Sequence, residues 1–171
     1  LTYQGNALKK RVEPLAAEAG AKLVLPCDVT DTASMDAVFA AAEKEWGGLD
    51  FIVHAVAFSD KDQLDGRYVD TTEENFAKTM AVSCYSLTAM AKRAEPLMKD
   101  GGSIVTLTYY GAEKVMPHYN VMGLAKASLE ASRFVRTQIQ RMLGGHIAAV
   151  IRSLRRRATG HKLKGKRLED L

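Results

Sequence analysis

Long apolar runs are missing from this sequence, and none approaches the ~18 residues that a membrane-spanning helix needs. Its opening, LTYQGNALKK, lacks the basic, apolar and small-residue series of a secretory leader. Cysteine is scarce. Cys27 and Cys84 stand far apart, with no second cysteine or histidine at metal-ligand spacing. That spacing excludes a disulfide-built fold and a metal site of finger type. It predicts two free thiols in a reducing compartment, with the cytoplasm as the default location. No internal repeat or low-complexity linker interrupts residues 1–132.

What is present is the make-up of an ordinary globular domain. The chain has 171 residues, 47% apolar and 26% charged, enough for one domain with a substantial core. Its net charge of +4 is unevenly spread. From Arg133 onward there are 11 basic and 2 acidic residues, which leaves 13 basic and 18 acidic before it. The basic balance belongs to the last quarter and says little about the main domain.

Strand and helix patterns alternate. Leu1–Tyr3 reads as the tail of a strand, and Ala7–Ala19 as a helix closed by Gly20, with Pro14 awkward inside it. Lys22–Pro26 has the apolar run of a short strand. Asp31–Trp46 has helical spacing, with Met35, Val38, Phe39 and Ala42 on one face and Gly47-Gly48 as the stop. Leu49–Ala55 reads as a strand, Thr72–Lys99 as one long helix, and Ser103–Thr108 as another strand. A last helix begins near His118 or Tyr119 and runs into the arginine-rich tail. Strands separated by helices of this length predict parallel βαβ units, hence an α/β fold with a doubly wound parallel sheet.

Such sheets bind ligands beyond the carboxyl ends of their strands. The loops predicted there are Gln4-Gly5-Asn6, Cys27-Asp28-Val29, Ala55 to Asp60, and Tyr109 to His118. Tyr119 and Lys126 are seven residues apart, within ~20° of one direction on a helix and two turns apart. Both side chains can face one cleft, which Tyr109 enters from the strand end; Tyr110 alternates to the opposite face and is expected to pack. An ammonium near a phenol favours the phenolate and strengthens the phenol as a donor to a developing oxyanion. On spacing alone, a core phenol and a solvated lysine explain the pair more simply. His54 and His118 have no partner at useful spacing and are expected in packing or turn roles.

The string YYGAEKVMPHYNVMGLAKASLEAS carries more than spacing. It resembles the active-site segment of bacterial NADH-dependent enoyl-[acyl-carrier-protein] reductases, within the short-chain dehydrogenase/reductase superfamily. The resemblance continues through TYQGNALKKRVEPLA, PCDVTD, LDFIVHAVAFSDKDQLDGRYVDT and GGSIVTLTYYGAE, from Leu1 to about Ser132. The superfamily usually places its tyrosine four residues before the lysine, where this chain has Met122; the enoyl reductases use one seven before, which is Tyr119.

The resemblance implies a Rossmann-like fold and roles for individual residues. Tyr119 would hydrogen-bond the thioester carbonyl and stabilise the enolate formed after hydride addition. Lys126 would hold the nicotinamide ribose, and Tyr109, standing where ordinary relatives carry a serine, would shape or assist the same site. Gln4 would lie near the adenosine ribose, Asp28 and Val29 at the adenine, Val56 on the floor of the cofactor groove, and Ser59 by the acyl substrate through its backbone. Ala57 stands where some members have glycine. Gln4 without an adjacent arginine favours NADH over NADPH. The implied substrate is an enoyl-acyl carrier protein, and the implied assembly a homotetramer packed through the long helices. Neither a membrane nor nucleic acid is an expected partner.

Two departures from the family pattern follow. A strand and glycine-rich turn that hold the cofactor pyrophosphate are expected ahead of Leu1 and are not within this sequence, so the sheet is expected to lack a central strand. Residues 133–171 follow the 1–132 domain as an atypical basic tail, in which GGHIAAVIRS has strand character but lacks the expected Gly-Pro. The tail's composition suggests a shifted reading frame or a junction. A second reading therefore treats the chain as an inactive fragment whose tail, RSLRRRATGHKLKGKR, binds RNA or anionic surfaces, although it has no interleaved aromatics for base stacking.

Overall fold

The computed structural model describes residues 1–132. The basic tail, with the strand expected at GGHIAAVIRS, lies outside them. Four short strands and five α-helices alternate as expected: β1 (Thr2–Tyr3), α1 (Gly5–Glu18), β2 (Leu25–Pro26), α2 (Thr32–Trp46), β3 (Phe51–His54), α3 (Glu73–Met80), α4 (Ser86–Ala94), β4 (Ser103–Thr106) and α5 (Asn120–Ala131). Among the described residues no helix is long and apolar enough to cross a membrane.

Local chemistry explains the helix ends. Asp31 caps α2 by accepting the amide of Ala33, and Gly47 ends it in the left-handed conformation at φ 72°, which only glycine takes without strain. Thr72 caps α3 by accepting the Asn75 amide, and Glu73 and Glu74 favour the positive end of its dipole. Pro14 sits inside α1, which is mostly solvent-exposed and has only Ala16 buried.

The predicted helix Thr72–Lys99 is interrupted. Between α3 and α4 the chain forms a π-helical turn over Ala81–Tyr85, and a 3₁₀ turn over Glu95–Leu97 closes the segment. The strands are shorter than predicted, because pairing stops before the loops that carry the candidate site.

All pairing is parallel, but it forms two separate pairs: β1 with β2, and β3 with β4. In the second pair Ile52 lies opposite Ile104 and His54 opposite Thr106. One face of this pair is core: Ile104 and His54 are buried. On the other face Phe51 and Val53 remain 64% and 55% exposed, because nothing among the described residues covers them.

The main core joins α4 to β4 and α5, with Leu87, Ala91, Ala94, Met98, Ile104 and Leu129 in one cluster. Burying a side chain the size of Leu129 contributes about 2 kcal/mol. A second cluster of Cys27, Met35 and Ala89 fixes the β2 end against α2 and α4, and Arg93 spans α4 to α2 by pairing with Asp36. Both cysteines are free, as the sequence predicts. Burial raises each thiol above its ordinary range, so both stay neutral.

Candidate active site

Helix α5 carries the site because of one unusual buried residue. Its inward stripe is Val121, Met122, Ala125, Lys126 and Leu129, so a lysine lies where the pattern calls for an apolar side chain. Lys126 is 6% exposed, which excludes a solvated surface charge. Its Nζ donates to the Leu107 carbonyl at 2.8 Å, just past the end of β4. Burial lowers its pKa from the ordinary lysine range, partly offset by the neighbouring Cys84 thiol. An ammonium has three hydrogens, and Leu107 takes one. Two remain for vicinal hydroxyls, a donor set that fits a ribose.

Tyr119 is the N-cap of α5, with φ −132° and ψ −20°, and so stands outside the helix proper. The seven-residue helical phase therefore does not describe its direction. The neighbours do: His118 and Asn120 have φ of 56° and 24°, in the region non-glycine residues rarely occupy. The Asn120 amide nitrogen donates to the carbonyls of Gln63 at 3.2 Å and Asp65 at 2.9 Å, and His118 meets the Asp65 carboxylate. The turn is thereby tied to the loop before α3. His118 fills a turn role, as expected.

The Tyr119 ring lies against Tyr109, with centroids 5.0 Å apart and planes at 59°. This tilted contact is the favourable arrangement for two aromatic quadrupoles. Two glycines let the 3₁₀ turn Tyr110–Ala112 lie flat on the helix start. A Cβ on Gly111 would run into the Tyr119 ring, and one on Gly123 would come within 2.9 Å of the Gly111 carbonyl oxygen. Tyr110 does not pack as predicted. The strand ends at Thr106 and a 3₁₀ turn starts at Tyr110, which undoes the alternation, and Tyr110 is 46% exposed beneath the Lys114 ammonium.

One electrostatic expectation is corrected. Tyr119 and Lys126 make no direct hydrogen bond, and the Tyr119 pKa moves up, through burial first and Tyr109 second. Tyr119 is therefore a firmly protonated donor rather than an incipient phenolate. The positive charge of Lys126 is felt instead by His54 and Cys84.

At the β1–β2 edge, Gln4 and Asp28 meet: Gln4 Nε2 donates to Asp28 Oδ2 at 2.8 Å. Asp28 Oδ1 accepts from both the amide and the hydroxyl of Thr30, at 2.8 and 2.6 Å. These bonds, those from Thr30 first, lower the carboxyl pKa, so Asp28 is an anionic acceptor at neutral pH. That suits an exocyclic amine of a purine. Val29 is half-buried and packs against the Cys27 cluster, so only part of it is open to a ligand.

Val56 and Ser59 lie on the segment leaving β3, both half-buried. The sequence reading missed what supports that segment. Asn75, Thr79, Ser83 and Ser86 are all fully buried, with bonds from this column reaching His54, Phe58, Ser59 and Asp60. The four-residue spacing Asn75, Thr79, Ser83 is the signal that could have revealed it. His54 is a packed core residue, as expected. Burial, then Lys126, depresses its pKa to about 4.

Comparison with known proteins shows the family. The profile of the family described as enoyl-(acyl carrier protein) reductase matches residues 1–138. The chain is 70% identical over 132 residues to enoyl-[acyl-carrier-protein] reductase [NADH] 1 of Rhizobium meliloti (strain 1021), covering 77% of this chain and 48% of that protein. Among solved structures, the reductase of Anaplasma phagocytophilum in complex with NAD superposes with a TM-score of 0.79 at 58% identity, covering 83% of this chain and 55% of that one. The reductase (NADH) of Aquifex aeolicus VF5 gives 0.79 at 44% identity, covering 82% and 57%. The fold is therefore the Rossmann-like one of the short-chain dehydrogenase/reductase superfamily, and the chain spans about half the length of the curated relatives it matches. On this match, the chain belongs to the enoyl-(acyl carrier protein) reductase family.

Proposed function

We propose that the protein reduces the carbon–carbon double bond of a trans-2-enoyl thioester on acyl carrier protein, using NADH, within fatty acid biosynthesis. The observation that carries this reading is the buried Lys126 on the helix that Tyr119 caps, held by the Leu107 carbonyl. The relatives' names supply the substrate and cofactor. When bound, NADH would supply a hydride at the β-carbon of the enoyl group, and the resulting enolate would take up a proton at its α-carbon to complete the reduction.

The chain's own residues do the rest. Tyr119, kept protonated by burial, donates to the thioester carbonyl oxygen and stabilises the charge that gathers there as the double bond is reduced. Tyr109 shields one side of that phenol and fixes its tilt. Lys126 presents its two remaining hydrogens to the ribose hydroxyls. Gln4 and Asp28, with Val29, recognise the adenosine end. Val56 forms the groove floor, and the Ser59 backbone lies by the acyl group. Residues 1–132 make up the reductase-like unit, followed by the basic tail of 133–171. We further propose that the protein works in the cytoplasm as a homotetramer. Phe76, Tyr85 and Leu124, exposed on the α3–α4 segment and on α5, supply apolar area for such packing.

The test is oxidation of NADH by the purified protein, followed at 340 nm (about the nicotinamide absorbance maximum), with a trans-2-enoyl thioester of acyl carrier protein. Turnover dependent on both partners is expected. No turnover, with NADH bound, would remove the reductase reading and leave a dinucleotide-binding chain. The basic-tail reading concerns residues that lie outside the described ones.

A further inference from the structure

The backbone from Ala55 to Asp60 runs on beyond the β3–β4 ladder, so something other than sheet pairing must hold it. Three members of a buried four-residue polar column along the α3–α4 segment do so. Thr79 Oγ1 donates to Ser59 Oγ at 2.9 Å, and Asn75 Oδ1 accepts the Asp60 amide at 2.9 Å. Ser83 Oγ accepts the Phe58 amide at 3.0 Å and donates to the Phe58 carbonyl at 3.1 Å, so one hydroxyl grips both polar groups of one residue. Ser86 Oγ gives its hydrogen to the Val82 carbonyl at 2.6 Å and must therefore accept from His54 Nε2, at 2.7 Å. That fixes the proton of His54 on Nε2 and leaves Nδ1 to accept from the Thr106 hydroxyl, at 2.8 Å.

The π turn at Ala81–Tyr85 explains how one helix face reaches so far along an irregular segment. Residues four apart overshoot an α-helical turn by about 40°, so Asn75, Thr79 and Ser83 would drift off the face. A wider turn takes up that overshoot and returns Ser83 and Ser86 to the same side. An apolar helix face would bury the segment but would not fix where it sits along the helix. Hydrogen bonds from one side fix it and leave the opposite side, with Ala55 and Ala57 exposed, open to a ligand.

We infer that Ser83, with Asn75 and Thr79, is a positioning residue for the dinucleotide site: it sets the path of Val56–Ser59 and so the affinity for the nicotinamide cofactor. This rests on the dinucleotide reading above.

The experiment compares Ser83→Ala with Ser86→Ala in the intact protein. Both remove a fully buried hydroxyl of the same column, but Ser86 holds His54 rather than the Val56–Ser59 segment. Ser83→Ala is expected to raise the Kd for NADH about tenfold and to speed amide exchange at Phe58 by a similar factor. Ser86→Ala is expected to lower Tm comparably while NADH affinity stays within about twofold. Thr79→Val, which removes one donor at nearly constant volume, is expected to raise Kd about threefold and decides the matter if Ser83→Ala does not fold. Equal weakening by Ser83→Ala and Ser86→Ala, or none by either, overturns the inference alone. An unmodified protein that does not bind NADH overturns the dinucleotide reading itself, and this inference with it.

Discussion

The Gln4–Asp28 edge and the Tyr119–Lys126 edge are built on opposite plans. At the first, the polar groups already satisfy one another: Gln4 and Thr30 both donate to an Asp28 carboxylate held ionised. At the second, a lysine is buried with a single carbonyl partner among the described residues, and a phenol is held protonated beside another ring. In a wet setting each hydrogen bond contributes little, because water competes for both partners. In a dry one, each donor acts at low dielectric and is costly to leave unused. The edge with fewer bonds is thus the one where a ligand gains most.

That contrast predicts a graded set of effects. The largest belongs to Tyr119→Phe, which should lower turnover by about 10²–10³, with NADH affinity nearly unchanged. Steady-state kinetics beside an NADH titration would show it, and a wild-type rate would mean that the dry edge is not the reacting end. Next comes His54, the neutral floor beside Lys126. Its pKa is lowered from 6.5 to about 4, so the neutral form is the stabilised one. The contribution is present above pH 6.5 and is lost as pH falls through about 4, a difference of about 3 kcal/mol. Urea midpoints across that window should fall for the native protein and stay flatter for His54→Gln.

Lys126→Met keeps the apolar stem and removes the charge. It should raise the Kd for NADH by about 10- to 100-fold, the range for losing charge-assisted bonds, without lowering the melting temperature. Calorimetric titration would separate binding from folding. The smallest effect is expected at the wet edge, where Asp28→Asn should change NADH affinity only about threefold. An effect there as large as that of Lys126→Met would erase the distinction between the edges.

Much of this layout was legible in the residues. The alternation of strands and helices and the Asp31 and Gly47 helix ends follow from local pattern. The misses have specific causes. Strand alternation puts Tyr110 on a packing face, and it fails because the strand ends at Thr106 and a 3₁₀ turn begins at Tyr110. Composition predicts an unbroken helix over Thr72–Lys99, and a π turn is invisible to composition because it adds a residue without changing the residue types. The support for Val56 and Ser59 went unseen because hydroxyls in a helix ordinarily read as surface or self-satisfied groups. Here they face a segment 15 to 32 residues earlier in the chain.

By itself, then, the sequence determined the kinds of element, their order, and the tyrosine and lysine types at a seven-residue spacing, because these depend on neighbours a few residues away. Only the tertiary structure decided that Lys126 is buried on Leu107, that Tyr119 is a protonated donor outside its helix, and that His54 is neutral with its proton on Nε2. Those properties come from desolvation and from partners brought in by packing, and neither is written in any local stretch of chain.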